Sequence, residues 1–117
     1  MQNRIINTQL AADQNDVDAQ NNLGDIYKEE GNIAQAKEWF QKAADQNNVD
    51  AQNNLGIIYK QEGNIAQAKK YYQLAVDQND VDAQYNLDII STEEGNIAQA
   101  NMSLAGDDIN NPNDDCI

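Results

Sequence analysis

The feature that most constrains this chain is that it repeats itself. DQNDVDAQNNLGDIYKEEGNIAQAKEWFQKAA, from Asp13 to Ala44, recurs as DQNNVDAQNNLGIIYKQEGNIAQAKKYYQLAV, from Asp45 to Val76, with 24 of 32 positions identical. A third copy begins at Asp77 and decays toward its end. QLAADQN, from Gln9 to Asn15, falls in register with the close of a unit, so the chain opens halfway through one. Three and a half units, or about seven short helices, account for nearly everything before Gly106. A period of this size specifies a stack of small supersecondary units, each burying its apolar face against its neighbours.

Each unit reads as two helices. The first is predicted from about Val17 to Glu30, with Ala19, Leu23, Ile26 and Tyr27 on one face at helical spacing. Asp16 stands at its N-cap, and Asp18 in its first turn complements the helix dipole. Gly31 supplies the left-handed residue that closes it. Asn32 then caps the second helix, and Gln35 three positions on completes a capping-box pattern, which Asn64/Gln67 and Asn96/Gln99 repeat. The second helix turns Ile33, Ala36, Phe40 and Ala43 inward. Helices of this length are marginal alone and gain stability by stacking.

That stacking resolves a doubt raised by composition. The 117 residues carry 20 acidic and 7 basic side chains, a net of −13, and no histidine. Val, Ile, Leu and Phe together number only 23, near the level at which high charge predicts disorder. The same numbers exclude several function classes. So acidic a chain is not expected to bind a phosphate backbone, whose affinity comes from Lys and Arg releasing counterions. No apolar run approaches the ~20 residues of a membrane span, and MQNRIINTQL lacks the apolar stretch of a secretory signal. Cys116 is alone, which leaves no intrachain disulfide and no Cys/His zinc site, and His-based catalysis is ruled out.

Leu23-Gly24, Tyr27, Gly31, Ala36, Phe40 and Ala43 form a pattern that resembles the tetratricopeptide repeat, as do Leu55-Gly56, Tyr59, Gly63, Ala68, Tyr72 and Ala75. The joint KAADQNNVDAQNNLG is shorter than that family's usual one and is similar to the joint of the related Sel-one-like repeat. The loop YKEEGNIAQA lacks the Sel-one-like insertion, so the repeat is a hybrid of the two. The resemblance implies an all-α fold, an α-solenoid of antiparallel helix-turn-helix units winding as a right-handed superhelix. Its repeat domain would cover residues 1–105, as a half repeat over 1–15 and repeats over about 16–47, 48–79 and 80–105.

The third copy departs from the pattern at three places. Asp88 replaces Gly24 and Gly56, where paired helices would pack closely; Ser91 replaces Tyr27 and Tyr59; Asp107 replaces Ala43 and Ala75. A buried unpaired carboxylate is expensive, so Asp88 and Asp107 are expected to reach solvent. The plainest reading is a terminal unit whose outer face need not be covered, fraying from this end. GDDINNPNDDCI, residues 106–117, reads as a disordered acidic tail. Asp115-Cys116-Ile117 is loosely like a C-terminal ligand of PDZ domains, a match common by chance. Cys116 is not four from the end, so prenylation is unsupported.

The resemblance also implies a recognition surface. In such superhelices the first helix of each pair lines the concave face, which by matched position holds Asp18, Asn21, Asn22, Asp25, Lys28 and Glu29 from the first unit. The second contributes Asp50, Asn53, Asn54, Ile57, Lys60 and Gln61, and the third Asp82, Tyr85, Asn86 and Ile89. Asn22, Asn54 and Asn86 make a ladder of carboxamides, each able to donate to a peptide C=O and accept from its N–H. The competing view is that these are repeat-consensus residues facing water. Asp18, Asp50 and Asp82 make a second column, which complements the helix dipoles and would also attract a basic segment. Family members that grip the acidic tails of heat-shock chaperones use a clamp of Lys, Arg and Asn on this face. Asn21, Asp82 and Asn86 stand at the places matching the basic residues and only Asn54 fits, so that ligand class is not expected.

Other chemistry finds little support. The cluster of Asp13, Asn15, Asp16 and Asp18 has neither the glycine nor the glutamate of an EF-hand loop, which leaves weak surface calcium binding at most. Gly24, Gly31, Gly56 and Gly63 are spaced by helix geometry and not by a phosphate-binding motif. Trp39, Tyr71 and Tyr72 read as packing residues on the second helices. The leading expectation is thus a non-enzymatic interaction module without cofactor or metal, holding a polar or basic peptide in its groove. The alternative is a structural or assembly repeat, part of a longer array or self-associating through exposed solenoid ends. A consensus-like array with no evolved ligand is a third. The cytoplasm is the expected compartment, although repeat proteins of these families include exported effectors.

Overall fold

A computed structural model of the chain describes the backbone of residues 2–109 and the side chains of residues 5–97. Its elements follow from stop and start signals recurring in every unit. Asn15, Asn47 and Asn79 hold φ of 70°, 69° and 68°, the left-handed region that asparagine tolerates better than most residues. Each ends a helix, and the residue after it starts the next: the Asp16 carboxylate accepts from the Ala19 N–H at 3.0 Å, Asn48 from Ala51 at 2.8 Å and Asp80 from Ala83 at 2.9 Å. Within the first two units Gly31 and Gly63, both at φ +82°, close the first helix. Asn32 and Asn64 cap the second by accepting from Gln35 and Gln67 at 3.3 Å. The reciprocal half of the expected capping box is replaced: the Asn32 and Asn64 N–H groups donate at 2.8 Å to the carbonyls of Tyr27 and Tyr59.

These signals delimit α1 (Gln2–Asp13), α2 (Val17–Glu29), α3 (Ile33–Asp45), α4 (Val49–Gln61), α5 (Ile65–Val76) and α6 (Val81–Ile109). All six described elements are helices, and each packs on the next in chain order. The result is an elongated stack of 73 × 28 × 17 Å. Its core is a chain of small clusters. Ala12, Ala19, Leu23 and Ile26 form one, with Tyr27 and Trp39 against it. Ala36, Phe40, Ala43, Leu55 and Ile58 form the next, flanked by Tyr27 and Tyr59. Ala68, Tyr72, Ala75, Ala83 and Ile90 form the last, with Tyr59 again at its edge. Tyr27 and Tyr59 each touch two clusters and so couple unit to unit. Tyr59 also stacks on Tyr71 (centroids 5.8 Å apart, planes within 11°) and carries the Lys37 ammonium 4.9 Å from its ring centre. Tyr71 and Tyr72 are buried, as expected of packing residues. Burial raises the Tyr72 hydroxyl above the ordinary tyrosine range.

The third unit does not fold as expected. Its two predicted helices are one, α6, 29 residues long, so there are six described helices where about seven were expected. Gly95 and Asn96 lie inside it, and the expected cap at Asn96/Gln99 is absent. The reason lies one turn and more upstream. A Cβ placed on Gly24 would stand 2.6 Å from two atoms of the Phe40 ring, and one on Gly56 2.5 Å from two atoms of the Tyr72 ring. The tight hairpin therefore requires glycine there, and the third unit has Asp88. It also lacks the bridging tyrosine at Ser91. With no seat for a returning helix, the chain continues the i→i−4 ladder across Gly95, whose own Cβ would meet nothing within 4 Å. Asp88 is exposed, as expected, and accepts from Gln84 Nε2 at 2.9 Å. Helix α6 continues through residues 106–109, the start of the expected tail. Residues 110–117, with Cys116 and the terminal tripeptide, lie outside the described residues, as does the side chain of Asp107.

Candidate functional site

The expected recognition residues sit on α2, α4 and α6, and the structure brings several of them together. Asn54 Nδ2 donates to Asn21 Oδ1 and Asn86 Nδ2 to Asn53 Oδ1, each at 3.2 Å. First helices of successive units therefore lie side by side, joined by a diagonal carboxamide pair. Each pair uses one N–H of the donor amide and one lone pair of the acceptor, which leaves Asn54 and Asn86 an oxygen and a second N–H beyond it. Asn21 is buried, Asn53, Asn54 and Asn86 are half-buried, and Asn22 is exposed. The ladder thus has a structural duty that sequence reasoning did not assign to it.

Asp18, Asp50 and Asp82 are exposed in the first turns of their helices. Asp25, Ile57, Lys28 and Lys60 are half-buried farther along the same helices. Lys60 Nζ lies 3.5 Å from the Glu93 carboxylate. In the third unit Tyr85 stands two-thirds exposed (67%) where units one and two carry Asn21 and Asn53. With Asp88, Ile89, Thr92 and Glu93 it borders a mostly apolar hollow of about 380 Å³.

The joints hold a second polar arrangement, which sequence reasoning missed. Gln20 and Gln52 are 2% and 1% exposed. Gln20 Nε2 donates to the Ala12 carbonyl (3.2 Å) and to Asn15 Oδ1 (3.1 Å), and Gln46 Nε2 reaches back from the next joint to Gln20 Oε1 (2.8 Å) and Asn15 Oδ1 (3.0 Å). Gln52, Asn47 and Gln78 repeat the pattern, with Gln78 donating to Gln52 Oε1 at 2.8 Å. Buried carboxamides satisfied in this way fix the register of neighbouring units. The signal was present in the recurrence of DQN and of Gln20, Gln52 and Gln84 in every copy. In the third copy Gln84 is exposed and turned to Asp88. A cleft of about 510 Å³ opens beside the first joint, bordered by Trp39, Lys42, Asp13 and Asp45 along with this network. The Lys42 ammonium lies over the Trp39 ring, 5.7 Å from its centre.

The acidic cluster at the joint is otherwise employed: Asn15 makes the left-handed stop and Asp16 the N-cap. Among the described residues no three Cys, Asp or Glu side chains converge as metal ligands would, and no helix is long and apolar enough to cross a membrane. In comparison with known families, the model described as tetratricopeptide repeat matches residues 17–48 and 49–82. No curated protein matches the chain.

Proposed function

Since this chain belongs to the tetratricopeptide repeat family, whose repeats generally mediate protein–protein contacts and are typically non-enzymatic, we propose that it is a binding module for an extended, basic or polar peptide. The peptide lies along α2, α4 and α6, in the concave groove of the stack. The observation that supports this most is the row of amides at Asn22, Asn54 and Asn86, beside exposed carboxylates at Asp18, Asp50 and Asp82. Amides that have spent one donor on their neighbours keep one donor and one acceptor for a peptide backbone. The carboxylates favour Lys or Arg in the ligand and speed its arrival. The hollow beside Tyr85 and Ile89 suits one apolar side chain of the same ligand.

A library of extended Lys/Arg-bearing peptides tests the reading at about 0.15 M salt, where unfocused charge attraction is screened beyond about 8 Å. Binders are expected, and Asp50→Lys weakens them by about ten-fold or more, as loss of a central contact does. Asn54→Ala weakens them as well, but it also removes the bond to Asn21, so its thermal melt is measured alongside. A library without binders, or binders indifferent to Asp50→Lys, overturns the proposal.

A further inference from the structure

In the third copy the outward flank of the first helix is more apolar than in the first two. On the flank of the first helix that meets the next unit, Asn21 and Asn53 become Tyr85, Asp25 becomes Ile89 as it does Ile57, and Lys28 and Lys60 become Thr92. Val81 (78% exposed), Tyr85 (67%) and half-buried Ile89 fall on one i, i+4 row of α6. Eight residue steps of helix, from Val81 to Ile89, make it about 12 Å long. Asp82 and Asp88 border it, Glu93 beside it is paired with Lys60, and α6 has no Lys or Arg anywhere along its length.

We propose that this row is a docking surface for a basic amphipathic helix of another protein, which lies along α6 as α6 itself lies along α4. The interface continues one the fold already contains, since α4 and α6 are joined side by side through Asn53–Asn86 and Lys60–Glu93. Apolar residues three and four apart on the partner seat against Tyr85 and Ile89, and its Lys or Arg residues meet the acidic border. Charge selects this occupant over a second copy of the chain. Two copies set together on this face bring Asp82 and Asp88 of each against those of the other, in molecules that each carry a net of −13. The surface shares Tyr85 and Ile89 with the groove reading but does not depend on the Asn22–Asn54 row or Asp50.

The test uses a synthetic 18-residue helical peptide with leucines at i, i+3, i+4 and i+7 and lysines elsewhere, together with a scrambled peptide of the same composition. Both are titrated into the full chain at about 0.15 M salt, where the Debye length is about 8 Å. The helical probe is expected to bind at least about ten-fold more tightly than the scrambled one, because only it presents a continuous apolar face. Tyr85→Asn with Ile89→Asp, which installs the residues of the first unit at exposed and half-buried sites, should weaken it by about ten-fold or more. Asp50→Lys should leave it unchanged, whereas an extended groove ligand responds to Asp50→Lys. Equal binding of the two probes, or of the parent and the double variant with matching circular dichroism, overturns the proposal. So does sedimentation showing a dimer of the chain that the double variant abolishes, because the row is then a self-contact.

Discussion

Two residue positions decide how far the hairpin pattern extends. Gly24 and Gly56 are required by what faces them and not by their backbone angles: the rings of Phe40 and Tyr72 occupy the space a Cβ would need. Gly56→Ala should therefore cost about 1–3 kcal/mol, since a fully buried ring must leave its seat. Gly95→Ala tests the converse. Nothing lies within 4 Å of a Cβ there, and the backbone is helical, so alanine should be neutral or stabilise by up to about 1 kcal/mol. Urea unfolding of the two variants checks both signs. A Gly56→Ala protein as stable as the parent would mean that the ring does not need the glycine. The sequence flagged Gly24 and Gly56 as close-packing sites and Asp88 as an intruder, because the three copies could be compared position by position. It did not identify the opposing rings, which are brought close only by the hairpin.

At the scale of elements, caps explain where α2 to α5 begin and end, and α6 shows what caps alone cannot do. Glu-Glu-Gly-Asn-Ile-Ala-Gln-Ala occurs at residues 29–36 and again at 93–100. In the first place it makes a left-handed turn at Gly31 and starts a new helix; in the second its backbone stays helical. Local propensity is the same in both, so packing decides. The start of α6 rests on α5 through Ala83 and Ile90 and is held by Lys69 Nζ to Glu94 at 3.2 Å. Amides of residues 77–105 should exchange faster than those of α4, which is packed on both sides. Hydrogen exchange read by mass spectrometry checks this, and slower exchange over 77–105 would contradict the packing account. The seven-helix expectation failed because the capping signal at Asn96 was legible while the missing seat for the helix behind it was not.

For the whole molecule, charge and stacking oppose each other. Among the described residues three lysine–carboxylate pairs tie neighbouring units, Lys37–Glu62, Lys60–Glu93 and Lys69–Glu94, but all are partly exposed, and such pairs contribute about 0–1 kcal/mol each. They do not offset 13 uncompensated negative charges. Raising the ionic strength from about 0.01 M to about 0.15 M shortens the Debye length from about 30 Å to about 8 Å. Repulsion between units then weakens more than the close pairs do. The thermal midpoint should rise by about 4 °C, equivalent to roughly 1 kcal/mol. A midpoint that falls with salt would show that the ion pairs outweigh the excess charge.

The candidate site was legible in part. The placement of Asp18, Asp50 and Asp82 on exposed first turns follows from helical periodicity and the repeat. The pairing of Asn54 with Asn21 and of Asn86 with Asn53 does not, because it depends on how far one unit is offset from the next. The joint amides Gln20 and Gln52 were equally hidden, since a polar residue on a polar-looking helix gives no local sign of being buried. The amino-acid sequence by itself determined the helical units, their period and their caps, because these depend on residues within a few positions of one another. Only the tertiary structure decided whether a given unit closes and which amides are spent between units. Those outcomes depend on side chains that approach through space, a ring against a glycine or one helix against the next.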